Sequence, residues 1–262
     1  MMGKFIFSLA GILILSGLPA QAQLLPPILS SIFGPDNRIL ADVRVYPYNA
    51  IVSVRTIKQD GLSYTCTGAW VGPRLVLTAA HCLEGHDPQT SVRVRTADGR
   101  GDVLARGPFV STYGQVPIQR IGHDSHDWVL IELPRALGQA GWLEVDEEFS
   151  VGPRFVEPVR LAGYSSDRSG LTVHENCLVM QARRDGTMGH DCDMTRGASG
   201  APILHCREDG KCFVVGVNIT EVRTDSDNFH QGRYSHGVAN RAVQARMFAD
   251  TWNEMLQAQL QR

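Results

Sequence analysis

Thr78-Ala79-Ala80-His81-Cys82 is the stretch on which the reading of this chain turns. Arg74-Leu75-Val76-Leu77 leads into it and reads as a strand. A histidine at a strand end, beside small alanines, has room to present its imidazole. Near pH 7 a neutral imidazole can take a proton from a hydroxyl and later return it. Alone, a histidine in an apolar setting is more often packed or superficial, so the weight falls on what else the chain carries.

A hydroxyl stands in Arg196-Gly197-Ala198-Ser199-Gly200-Ala201-Pro202. Serine is a weak nucleophile until a base removes its proton. It also needs backbone donors aimed at the oxyanion that forms. Gly197 can take the unusual backbone angles that turn its N–H inward, and Gly200 lets a substrate backbone come close. In isolation this heptapeptide reads as an ordinary Gly-Ser turn. The third requirement is a buried carboxylate to orient the imidazole and stabilise its cation. Asp127 opens the apolar run Trp128-Val129-Leu130-Ile131-Glu132-Leu133, where a carboxylate is costly unless it has a partner. Asp124, in His123-Asp124-Ser125-His126, has polar neighbours and reads as a solvated loop residue.

Outward from these motifs, short β-like runs recur. Ala50 to Val54, Thr67 to Leu77 around Gly72-Pro73, Ser91 to Arg95 and Trp128 to Leu133 are separated by turn signals such as Asp60-Gly61, Asp98-Gly99 and Asp209-Gly210. The 26 glycines and 13 prolines suit many tight turns, and 43% hydrophobic residues allow a sizeable core. The pattern predicts an all-β sandwich or pair of barrels. Residues 242 to 262 break it: Val243, Met247, Trp252, Met255 and Leu256 fall on or near one stripe, which predicts a C-terminal helix.

The first 22 residues differ from the rest. Lys4 is followed by an apolar run, Phe5 to Leu18, and Ala20-Gln21-Ala22 offers the small residues that a signal peptidase reads. The run is short for a membrane span, so a secretory signal cut after Ala22 is expected. Removing Lys4 takes the net charge of -2 to about -3. No run of one sign suggests a nucleic-acid or membrane-binding surface. Residues 23 to 38, Pro-rich at first, read as a candidate pro-segment. Six cysteines follow, at 66, 82, 177, 192, 206 and 212. In an exported chain an even count predicts disulfides, and fifteen pairings are open. No Cys-x-x-Cys pair points to zinc, and His81, His86, His123 and His126 match no familiar ligand spacing. No cofactor is expected.

Taken together, Thr78 to Cys82, Asp127 to Leu133 and Gly197 to Pro202, in the order His, Asp, Ser, resemble the trypsin-like, chymotrypsin-fold serine peptidases, especially exported bacterial ones. Val43 to Val54 resembles their first strand region. The likeness runs from about residue 38 to the C-terminal helix. It implies two six-stranded antiparallel β-barrels, over 39–134 and 135–241, with the triad His81, Asp127 and Ser199 between them. It also implies an oxyanion hole of the Gly197 and Ser199 N–H groups and a disulfide Cys66–Cys82 beside the histidine. Cys177–Cys192 and Cys206–Cys212 are the remaining pairs proposed.

The resemblance implies a monomeric secreted or periplasmic endopeptidase acting on proteins or peptides through an acyl-enzyme, with no membrane anchor once the signal is removed. The competing reading is a binding protein on the same fold without activity. Asp193, six residues before Ser199, stands where relatives place a carboxylate at the floor of the specificity pocket, which implies an Arg/Lys preference. Relatives that cut after Glu tend to carry a histidine on the strand after the nucleophile, where this chain offers Asn218. One departure is plain. Digestive relatives have Asp immediately before the nucleophile, salt-bridged to a freshly cut N-terminus. This chain has Ala198, so a cut at Arg38-Ile39 would find no such partner.

Overall fold

The computed structural model describes residues 31–112, 124–137, 141–149, 157–220 and 239–262. The expected signal, residues 23–30 and His123 lie outside the described residues. Among the described residues no helix is long and apolar enough to cross a membrane.

Two sheets, antiparallel but for the short β9 that pairs in parallel with β14, make up the body. The first contains β2 (Ile51–Ile57), β3 (Ser63–Gly72), β4 (Leu75–Thr78), β5 (Val92–Thr96), β6 (Asp102–Ala105), β7 (Phe109–Val110) and β8 (Val129–Glu132), in the order β6-β5-β2-β3-β4-β8-β7. The second contains β1 (Ile39–Leu40), β9 (Glu144–Val145), β10 (Glu157–Tyr164), β11 (Leu171–Ala182), β12 (Thr187–His190), β13 (Pro202–Cys206), β14 (Cys212–Thr220) and β15 (Asn240–Gln244). Here β10, β11, β12, β15, β14 and β13 pair in a closed ring. Closure removes the open edges that would otherwise invite pairing with other chains. Setting aside β1, β7 and β9, each of two residues, six strands remain in each sheet.

Residue pattern explains these strands. In β5, Val92, Val94 and Thr96 are buried while Arg93 and Arg95 face solvent, the alternation of a half-covered strand. In β4 all four residues are buried, as are Val129 to Ile131 of β8. These continuous apolar runs carry the histidine and aspartate motifs into the interior.

Two boundaries differ from expectation. Ile39–Leu40, assigned to the N-terminal barrel, pairs instead with Val173 and Thr172 of β11 in the second sheet. The C-terminal helix α1 spans Ala249–Leu260. Residues 242–244 lie in β15, where Ala242 and Val243 are fully buried and paired with β12 and β14. Trp252 Nε1 of α1 donates to Val71 O at 2.7 Å, and Arg74 N donates to Gln259 Oε1 at 3.0 Å, so the helix returns to the β3–β4 turn.

Candidate active site

His81 sits on a 3-10 turn, Ala80–Leu83, just after β4. Ala79 and Ala80 are fully buried under it, while the imidazole keeps 16% of its surface exposed. Asp127, with no exposure, enters from the start of β8. Its Oδ1 accepts the His81 backbone N–H at 2.9 Å and its Oδ2 faces His81 Nδ1 at 2.8 Å. Two N–H partners offset the cost of burying the carboxylate. With the Nδ1 proton directed to Asp127, Nε2 is the nitrogen left to exchange a proton. Asp124 is exposed and accepts the His126 N–H at 2.8 Å, as its polar neighbours predict.

Ser199 is brought beside that turn by contacts between the sheets. Thr67 of β3 donates its backbone N–H to Ser199 O at 2.8 Å and its hydroxyl to Gly197 O at 2.8 Å, and it accepts the Tyr164 N–H at 2.9 Å. Cys82 Sγ, next to His81, lies 3.9 Å from Ser199 O. Thr67 is a residue that sequence reasoning missed. Its role comes from the approach of two distant strands, and its neighbour Cys66 is the only local hint.

Gly197 has φ +98°, and a Cβ there would stand 2.5 Å from Tyr164 O. Gly200 has φ +80° and would press on Thr78 and Thr67. Both positions therefore need glycine. Arg196 O accepts the Ser166 N–H at 2.7 Å. In a trans peptide the carbonyl and the following N–H point in opposite directions. The Gly197 N–H is thereby turned away from Ser166. Among the described residues no acceptor takes the N–H of Gly197 or Ser199.

Asn218 of β14 is buried under this loop. Its Nδ2 donates to Ala198 O at 2.9 Å, its O accepts the Gly200 N–H at 2.7 Å, and its Oδ1 faces His190 Nε2 at 3.1 Å. His190 is fully buried, and burial pushes its pKa down to about 4, so it is neutral near pH 7. Nothing in its local sequence marks it.

Asp193 is fully buried, but its oxygens are occupied. Oδ1 accepts the Phe33 N–H at 2.9 Å, while Oδ2 accepts the Asn37 N–H at 2.8 Å and Asn37 Nδ2 at 3.3 Å. The segment 31–38 is thus held against the second barrel. Arg38 closes it: its side chain is 1% exposed and lies between Asp36 and Asp167. Arg38 is thus buried, while Ile39 and Leu40, which follow it into β1, are exposed.

All three disulfides form as expected: Cys66–Cys82, Cys177–Cys192 and Cys206–Cys212. Ligand-type atoms of Cys66, His81 and Cys82 lie within 4.8 Å of one another, but the two sulfurs are bonded to each other and offer no thiolate to a metal. His86 is buried and faces Ile57 O, and His126 is exposed beside Asp124.

The family model for trypsins matches residues 41–195. The chain belongs to the trypsin family. Its relatives include the glutamyl endopeptidase of Bacillus licheniformis, 27% identical over 193 residues that cover 71% of this chain and 57% of the relative. The trypsin-like protease of Streptomyces glaucescens is 28% identical over 177 residues, 60% of this chain and 65% of that one. The chain thus spans less than two thirds of the length of either. Among solved structures, a Glu endopeptidase superposes with TM-score 0.63 at 18% identity, covering 87% of this chain and 99% of that one. That likeness concerns the fold. The family match ends four residues before Ser199, so the serine side of the cleft rests on the geometry above. Ala198 is buried, close enough to β10 that a Cβ at Gly163 would lie 3.1 Å from its own.

Proposed function

We propose that the chain is an exported serine endopeptidase. His81 Nε2 takes the Ser199 proton, Ser199 Oγ attacks the peptide carbonyl, and Asp127 steadies the imidazolium that forms. The Gly197 and Ser199 N–H groups receive the oxyanion. The protonated imidazole then passes its proton to the leaving amine, and water repeats the sequence on the acyl-enzyme. The observation that carries this reading is the pair of contacts from buried Asp127 to His81, at 2.9 and 2.8 Å, on a turn that abuts Ser199. It also weighs against an inactive binding protein, for which a buried carboxylate aimed at an imidazole would have no use. Three disulfides favour an oxidising compartment outside the cytosol.

Selection of the residue before the cut does not run through Asp193. A carboxylate already accepting three N–H groups from the segment 31–37 has little left for a substrate cation. The Arg/Lys preference expected from position alone is therefore set aside. Kinship with a glutamyl endopeptidase supports the opposite order. Two chromogenic peptides differing only in Arg or Glu before the scissile bond test this. The Glu peptide should be cleaved at least as well, and Asp193→Ser should not selectively reduce cleavage of the Arg peptide. A clear Arg preference that Asp193→Ser abolishes would overturn the assignment.

A further inference from the structure

An oxyanion hole needs one peptide, 196–197, held with its N–H toward the cleft. In relatives with Asp before the serine, that Asp, next to this peptide, pairs with a new N-terminus, and Ala198 cannot. Another buried charge lies close by. Arg38 forms a fork onto Asp36, Nε to Oδ1 at 2.9 Å and an Nη to Oδ2 at 2.8 Å. A second fork reaches Asp167, at 3.0 and 2.6 Å. Asp167 also accepts the Thr195 hydroxyl, and Arg38 itself lies 3.5 Å from that hydroxyl. Arg168 adds a 2.6 Å contact to Asp36. The guanidinium hydrogen bonds hold both carboxylates below the usual range. Burial alone would lower the Arg38 pKa, but its hydrogen bonds to Asp36 and Asp167 outweigh it and keep the arginine charged.

Asp167 neighbours Ser166, whose N–H fixes the Arg196 carbonyl outward at 2.7 Å. Thr195 neighbours Arg196. One guanidinium therefore grips the residues on both sides of the bond that sets the 196–197 peptide. The segment 31–38 contributes again through Asp193, and through Ser31 O, which accepts the Met194 N–H at 3.2 Å and Asn240 Nδ2 at 3.1 Å.

We infer that Arg38, clamping Asp167 and Thr195, is the positioning residue that keeps the oxyanion-hole peptide turned inward. It does so from within the chain and in place of the ion pair that Ala198 precludes. This rests on the serine-peptidase reading above.

The test compares the full chain with Arg38→Ala and Asp167→Asn. Each variant is assayed for kcat and KM on one peptide substrate and for affinity toward a peptide aldehyde, whose adduct carries the oxyanion. Loss of one oxyanion donor typically costs about 100-fold or more in kcat. Arg38→Ala should approach that loss, with KM changed less than about threefold and aldehyde affinity falling in step with kcat. A general loss of structure would instead lower the fraction of folded protein and leave the kcat of the remainder unchanged. Methylguanidinium should restore part of the kcat of Arg38→Ala. If that variant does not fold, Asp167→Asn, which removes a charge without opening a cavity, carries the same expectation. A folded variant with unchanged kcat and aldehyde affinity overturns the inference while leaving Ser199-dependent hydrolysis in place. A wild type without such hydrolysis overturns the inference together with the reading on which it rests.

Discussion

A carboxylate six residues before a nucleophilic serine can line a pocket or tie down a neighbouring segment, and here Asp193 does the second. The position was legible from the sequence, but the occupancy was not. Phe33 and Asn37 reach Asp193 with backbone N–H groups, 160 and 156 residues away, and a backbone donor leaves no mark in the side-chain pattern. The burial of Arg38 was hidden in the same way, because its partner Asp167 lies 129 residues on. By contrast, Asp127 was legible. Charge at the head of an apolar run is costly enough that a partner had to exist. His190 yields a prediction at this scale. Its pKa falls from 6.5 to about 4 on folding, through burial. Between those values the unfolded chain binds more protons, so this contribution is complete above pH 6.5. It declines as pH falls toward 4 and levels off below. Over that window the loss amounts to about 3 kcal/mol. Urea unfolding at several pH values should show His190→Gln with a shallower decline than wild type between pH 6.5 and 4. Parallel curves would contradict it.

Elements were legible where pattern and burial agree. The β4 and β8 runs and the polar-apolar alternation of β5 appear where the sequence put them. The start of the helix did not. Val243 suits the helical stripe, yet it and Ala242 close the second barrel between β12 and β14. Pairing on both sides outweighs a propensity difference of a few tenths of a kcal/mol per residue. The Cys66–Cys82 bond joins β3 to the turn that carries His81. Closing a loop of about 17 residues stabilises by about 3 kcal/mol through the unfolded chain. The double variant Cys66→Ala/Cys82→Ala should therefore unfold at lower denaturant, by roughly that free energy. An unshifted midpoint would show that the bond constrains little.

At the scale of the molecule, the two sheets matter for what they bring together. The first supplies His81 and Asp127, the second supplies Ser199, and Thr67 ties the serine loop to the first sheet through two hydrogen bonds and takes a third from Tyr164 of β10. The sequence named the three proposed catalytic residues because each motif has a local logic. It could not name Thr67, whose logic exists only where the sheets meet. The central claim is that this meeting makes Ser199 a nucleophile. Its most direct measurement is peptide mapping after treatment with an organofluorophosphonate, alongside peptide hydrolysis. One adduct per chain is predicted, on Ser199, with hydrolysis lost in step with labelling and absent from a folded Ser199→Ala variant. Labelling at another residue, or hydrolysis retained by Ser199→Ala, would contradict the account.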